Sequence, residues 1–171
     1  MNTTLEKLIN KKDFCYVNGD LTIANFPAPE KIQTEGWKII KLNKGVPSEE
    51  ALAEIKAQGC RPANVYELVT WVNSHKEEIE KGTWLVALGQ TAKIDYHRVP
   101  HVYRYSGGDF RFDLGYFGND WHDDYYLLCF CDESTQPLTT LETSPLTLEQ
   151  MIGKVVMAGF TVTPIDGKVM K

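Results

Sequence analysis

The stretch His101-Val102-Tyr103-Arg104-Tyr105-Ser106-Gly107-Gly108-Asp109-Phe110-Arg111-Phe112-Asp113-Leu114-Gly115-Tyr116 decides the fold class. Two alternating runs, rich in aromatic residues, flank a Gly-Gly pair, which is the pattern of an antiparallel hairpin. With Gly107-Gly108 as a two-residue turn, Tyr105 faces Phe110, Tyr103 faces Phe112 and His101 faces Leu114. That register gathers the rings on one face. It puts Arg104, Arg111 and Asp113 on the other, with Asp113 diagonal to Arg104. The plain reading of Tyr103, Tyr105, Phe110, Phe112 and Tyr116 is core against a helix around Leu68. The other readings are a protein or glycan contact.

Working outward, Trp84–Gly89 and Tyr125–Cys131 are continuous apolar runs, read as inner strands buried on both faces. Residues 90–96 read as a loop. Val65, Leu68, Val69 and Val72 follow the i, i+3, i+4, i+7 spacing of one buried helix stripe, with Trp71 beside it. Arg61-Pro62 is expected to start that helix. Lys76 to Lys81 reads as its solvated end, and Gly82 closes it. A second helix runs from Ser48, its expected cap, past Glu49 and Glu50 to about Gln58, and stops at Gly59. Gly36–Leu42 reads as a strand, and residues 26–35, with two prolines, as a loop. Near the start, Asn18-Gly19 between Phe14–Val17 and Asp20–Ile23 predicts another hairpin. Its turn is type I′, and Phe14, Tyr16, Leu21 and Ile23 share one buried face. Residues 3–10 read as a short helical lead-in.

The expected fold is therefore α+β, a twisted antiparallel sheet built from hairpins with helices on one face. Residues 1–132 form the main domain and 133–145 a polar linker. Residues 146–171 form a helix–strand unit, expected to pack on the main domain. The capping box Thr147-Leu148-Glu149-Gln150 opens that unit, and Leu148, Met151, Ile152, Val155 and Val156 are its apolar stripe.

The chain has 171 residues, with 18 Lys+Arg against 23 Asp+Glu, a net charge of −5. The acidic balance argues against nucleic acid as a partner. No apolar run approaches the roughly 18–20 residues that span a bilayer, and no secretory signal is read at the N-terminus. The expectation is a cytoplasmic protein with no membrane partner. The four cysteines, Cys15, Cys60, Cys129 and Cys131, form no C-x-x-C pair and are expected to be reduced and largely buried. A structural zinc on the same-face pair Cys129 and Cys131 would need two further ligands from elsewhere. No cofactor is implied, and no phosphate loop, dinucleotide fingerprint, H-E-x-x-H or G-x-S-x-G motif is present.

His75 sits at a helix end, where the dipole favours a cation. His97 and His101, four apart on an extended segment, are roughly 13 Å apart and cannot share an ion. His101 reads as a core histidine. The unusual stretch is Gly118-Asn119-Asp120-Trp121-His122-Asp123-Asp124, with three carboxylates, an imidazole, an amide and an indole between two strands. Loops on a rigid sheet are where sites tend to sit. The plain reading is a polar turn with Trp121 tucked under the sheet. The functional reading is a binding surface of Asn119, Asp120, His122, Asp123 and Asp124 around Trp121 as the anchor. The alternative is a small hydrolase or metal-dependent enzyme using His122 with Asp120, Asp123 and Asp124, in which His122, Asp120 and Asp124 would be catalytic.

The pieces Arg61-Pro62-Ala63, Glu67-Leu68, Ala87-Leu88-Gly89, Arg98-Val99-Pro100 and Asp120-Trp121 resemble an uncharacterised bacterial protein family over residues 60–131. That family carries no activity to transfer. The order of a Pro-initiated helix with Glu-Leu, a strand, a hairpin with a polar loop and a closing strand also resembles C-type-lectin-like domains. The paired-cysteine framework and the Trp-Ile-Gly-Leu and Glu-Pro-Asn pieces of those domains are missing. That resemblance implies ligand binding through loops rather than catalysis. The expected function is a non-enzymatic one, binding another protein or itself through the 118–124 loop and the aromatic hairpin.

Overall fold

The structure, a computed structural model, describes residues 4–94 and 97–131. The chain divides into two units, Met1–Gln136 and Pro137–Lys171. All described residues belong to the first. The expected linker, the Thr147–Gln150 capping box and the final helix–strand unit lie outside the described residues.

In chain order the elements are α1 (Leu5–Leu8), β1 (Tyr16–Val17), β2 (Trp37–Lys41), β3 (Val46–Pro47), α2 (Ser48–Ala57), β4 (Cys60–Pro62), α3 (Val65–His75), β5 (Trp84–Val86), β6 (Arg98–Arg104), β7 (Phe110–Tyr116), β8 (Asp120–Trp121) and β9 (Tyr125–Cys131). Seven strands form one sheet in the order β1-β7-β6-β5-β9-β2, with β4 continuing the line of β5 along β9. β3 and β8 make a separate two-stranded ladder. The α+β class read from the sequence is the observed one. The sheet is mixed, because β1 runs parallel to β7 and β5 parallel to β9.

The expectation of helices on one face is corrected: they divide between the two faces, because β9 is apolar on both. On the first face, Val65, Leu68, Val69 and Val72 of α3 meet Leu85, Val102, Phe112, Leu128 and Phe130. Each of these fully buried side chains contributes about 1.5–3 kcal/mol of transfer free energy. Leu5 of α1 and the side chains of Phe14, Leu21 and Phe26 complete this core. On the second face, Ala51 and Ile55 of α2 pack on Ile40, Val86, Val99, Leu127 and Cys129. Alternation along β9 explains the division, since Tyr126, Leu128 and Phe130 point one way and Leu127 and Cys129 the other.

Four local expectations are corrected. The hairpin at 98–116 forms, but Arg104 pairs with Phe110, Val102 with Phe112 and His101 with Asp113. Its loop is Ser106-Gly107-Gly108, closed by Tyr105 N donating to Asp109 O, with Gly108 at φ 101°. A third loop residue moves the register by one, and a slip of one residue turns every side chain of one strand to the opposite face. The aromatic residues therefore split. Phe110 and Phe112 enter the first core. Tyr103 and Arg111, as direct partners, share the second face, and Arg104 lies over the Phe110 ring.

The Asn18-Gly19 hairpin does not form. The Asn18 side chain accepts from Asp20 N and donates to Asp113, which holds an Asx turn. The chain before it pairs with β7, and residues 20–23 make no return strand. Leu21 and Phe14 are buried as expected, whereas Tyr16 and Ile23 are exposed.

Pro62 ends β4 instead of starting α3. The cap is Asn64, whose side chain accepts from Tyr66 N and Glu67 N while Glu67 accepts from Asn64 N. The buried Glu67 is held by both guanidinium nitrogens of Arg61, at 2.6 and 2.9 Å. Ser48 is the first helical residue of α2, after Pro47, and its hydroxyl turns inward instead of capping. The α2 helix does end at Gly59, at φ 70°. α3 ends at His75, and a single 3-10 turn, Lys76–Glu78, follows.

Candidate functional site

Across the second face, one register row runs through five strands. Tyr16 on β1 pairs with Arg111 on β7, Arg111 with Tyr103 on β6, Tyr103 with Trp84 on β5, and Trp84 with Tyr125 on β9. Register partners share a face, so five large side chains stand side by side over roughly 19 Å. The Arg111 guanidinium lies 4.5 Å from the Tyr16 ring centroid. The Tyr103 and Trp84 rings are 4.2 Å apart, and Trp84 stacks on Tyr125 at 5.7 Å. Tyr105 extends the row, edge-on to Tyr103 at 4.8 Å. The α2 helix covers the other end of this face, so Arg111, Tyr103, Trp84 and Tyr125 stay half-buried while Tyr16 and Tyr105 are exposed.

The row is held from below. Asp113 accepts from Arg111 Nε at 2.8 Å and from Asn18 Nδ2 at 2.7 Å. Burial pushes the Asp113 carboxyl up. Hydrogen bonds from Asn18, Leu114 N and Arg111 outweigh it, and the net shift is downward. The Tyr105 hydroxyl and then Asp113 keep the Arg111 guanidinium charged. His101 lies under Trp84, edge-on at 4.7 Å, and its ring rests over Gly115, where a Cβ would come within 3.1 Å of Nδ1. Burial pushes His101 down to about 4, with Asp113 opposing and Arg111 assisting. It is buried, as the sequence implies, and neutral at pH 7, and its Nδ1 has no hydrogen-bond partner among the described residues.

The 118–124 loop adjoins the row. Asp124 O accepts from Trp84 N, and the Trp121 ring meets Tyr125 at 5.2 Å. Trp121 is only 1% exposed, and its Nε1 donates to Ser48 Oγ at 2.8 Å. Ser48 Oγ in turn donates to Phe117 O. An indole already buried in its own chain cannot insert into a partner, so the expectation of Trp121 as an exposed anchor is corrected. The residue is tucked under the sheet and ties the loop to the start of α2. Asn119, Asp120, His122, Asp123 and Asp124 are exposed around it. His122 packs on Gly45, where a Cβ would come within 2.9 Å of Nδ1. Among the described residues, Asp120, His122, Asp123 and Asp124 do not bring three donor atoms to one point. A three-ligand metal site in this loop would need such convergence.

Two further places have relief. A cleft of about 390 Å³ lies between β2 and α2, lined by Ile40, Leu42, Lys44, Glu50 and Glu54. The second is made of sulfur. Cys60 and Cys131 are direct cross-strand partners and form a disulfide across a sequence separation of 71. Closing a loop of that length lowers the entropy of the unfolded chain by about 4 kcal/mol at room temperature. The expectation of four reduced cysteines is corrected on this point. Reading Arg61-Pro62 as a helix start hid β4, and with it the strand pairing that sets Cys60 opposite Cys131. Cys129 remains free and buried, its Sγ donating to Lys38 O at 3.2 Å, and burial pushes its thiol up to about 11. Cys15 is free and exposed.

No helix among the described residues is long and apolar enough to cross a membrane. No family model, no curated protein and no solved structure matches the chain.

Proposed function

We propose that the chain is a non-enzymatic cytoplasmic protein that binds another protein, or a second copy of itself. Its contact surface is the row Tyr16, Arg111, Tyr103, Trp84 and Tyr125, extended by Tyr105. The exposed Asn119, Asp120, His122, Asp123 and Asp124 form a polar rim. The observation that supports this is the register row itself. Tyrosine, tryptophan and arginine are the residue types that dominate binding energy at protein interfaces. Here they form a strip on a rigid sheet, with their rotamers restrained by their neighbours. Such a strip loses little conformational entropy when a partner covers it. The anchor is Trp84 with Tyr103, and Trp121 supports the loop from beneath. Ligand binding through loops is what the resemblance to C-type-lectin-like domains implies.

The test uses the whole chain, wild type against the double variant Tyr103→Ala/Tyr105→Ala. Sedimentation velocity over a range of concentration reads self-association, and affinity capture followed by mass spectrometry reads other partners. The expected result is an assembly or a captured protein with wild type that the double variant loses at least tenfold. Identical sedimentation and identical captured proteins for the two chains would overturn the reading.

A further inference from the structure

Cys60, Cys129 and Cys131 place three sulfur atoms within 4.8 Å of one another. They come from two strands, Cys60 from the start of β4 and the other two from the end of β9. The C-x-C spacing puts Cys129 and Cys131 on one side of β9, and the antiparallel register puts Cys60 directly across from Cys131. The strand pairing that sets Cys60 there supplies one of the two further ligands that a site on Cys129 and Cys131 requires. All three lie on or against the second-face core, under α2. Among the described residues this is the one place where three such donors converge.

We propose that these three sulfurs are a thiophilic metal site, for a cation of the Zn²⁺ class, whose oxidised and closed form is the Cys60–Cys131 disulfide. The donor set is all sulfur, which selects soft or borderline cations over Mg²⁺ and Ca²⁺. With Zn–S bonds near 2.3 Å, tetrahedral ligation separates the sulfurs by about 3.8 Å. On reduction the joined Cys60 and Cys131 sulfurs part to about that distance, and Cys129 already lies within 4.8 Å of both. Three protein ligands leave the fourth position to water or an outside ligand.

The exchange between the two forms balances as follows. An external dithiol gives two hydrogens to the Cys60 and Cys131 sulfurs, the S–S bond breaks, and the dithiol becomes a disulfide. The cation then forms three metal–sulfur bonds, and three thiol protons leave to solvent. The proton that Cys129 shares with Lys38 O is one of them. In the reverse direction an external disulfide takes two electrons from the Cys60 and Cys131 thiolates and two protons from solvent to become a dithiol, the S–S bond forms, Cys129 regains its proton from solvent, and the cation, left with one ligand, is expelled. Metal and disulfide join the same two strands, so the sheet keeps its tie in either state.

The test titrates Co²⁺ into the full chain under anaerobic conditions, once with a phosphine reductant and once as the disulfide form. Sulfur-to-cobalt charge-transfer absorption and native mass spectrometry are read together, followed by displacement with Zn²⁺. The expected result is one ion per reduced chain, with the absorption band, and none per oxidised chain. Cys129→Ser keeps the disulfide, so its fold is checked by near-ultraviolet circular dichroism before reduction. Removing this ligand is expected to weaken binding at least as much as the roughly 10–100-fold that loss of an outer partner costs. Cys15→Ser is expected to bind as wild type does. No sulfur band in the reduced wild type, equal binding by reduced and oxidised chains, or unchanged affinity in a folded Cys129→Ser would each overturn the proposal. The reduced-against-oxidised comparison needs no variant and decides the matter even if Cys129→Ser does not fold.

Discussion

On the face that carries α3, side chains from β7, β6, β5 and β9 meet a helix and the N-terminal segment and are buried along the row. On the opposite face the same strands are covered by α2 at one end only. There Val86 and Leu127 are core, with Val99 beyond them, and one same-face step from Val86, His101 and Leu127 the side chains of Trp84, Tyr103 and Tyr125 are half-exposed. The contrast is between a face covered along its length and one covered in part. A fully covered face supplies stability, so the other is free to carry residues that stability alone would not select there.

Three substitutions bracket this contrast. The largest effect is expected from Phe112→Ala, in the first-face core and fully buried. Loss of the ring and the cavity left behind should lower unfolding free energy by about 3–5 kcal/mol, read by urea denaturation. A loss near zero would mean that this face is not the main core.

Next comes His101, beneath the strip and on the boundary between core and surface. Its folded value lies below the ordinary 6.5 of a histidine, at about 4, so the unfolded chain takes up the proton first as pH falls. Stability is unaffected above about pH 6.5 and is lost progressively down to about pH 4, by about 3 kcal/mol in all. His101→Leu should flatten that part of the pH–stability curve. A curve with the same slope in both chains would place the acid sensitivity elsewhere.

The smallest effect is expected from Tyr105→Ala at the exposed end of the strip. Unfolding free energy should fall by only about 1 kcal/mol, since the ring is 36% exposed and gives up one edge-on contact with Tyr103 and one hydrogen bond to Arg111. A loss of several kcal/mol would turn the strip from a contact surface into part of the core.

The elements that the sequence made legible are those whose signal is local. The α3 stripe, the ending of α2 at Gly59 and the two-faced apolar runs of β5 and β9 all appear where periodicity and composition put them. What was not legible depended on one residue of loop length or on a distant partner. Gly107-Gly108 looks like a two-residue turn, yet Ser106 joins the loop, and that single residue moves Tyr103 from the Phe112 face to the Arg111 row. Asn18 has the chemistry of a hairpin turn, but Asp113, 95 residues away, takes its side chain. The Asn64-x-x-Glu67 capping box was in the sequence to be read and marks the true start of α3. Reading Pro62 as that start concealed β4. The candidate strip is a property of register across five strands, so no single segment could reveal it.

The position of β9 has a consequence for how the chain comes into being. β2, β4 and β5 precede it in the chain and all pair with it. Synthesis runs from the N-terminus, and about 90 residues separate the end of β2 from the end of β9, or roughly 5–20 s at ordinary elongation rates. β2 waits that long for its neighbour, β4 and β5 for less, and Cys60 waits 71 residues for Cys131. The hairpin of β6 and β7 can form early because its partners are local, whereas the pairing of β2, β4 and β5 must await β9. Cys60 is therefore open to other thiols throughout the wait, and the cell's handling of the nascent chain decides which sulfur it meets first.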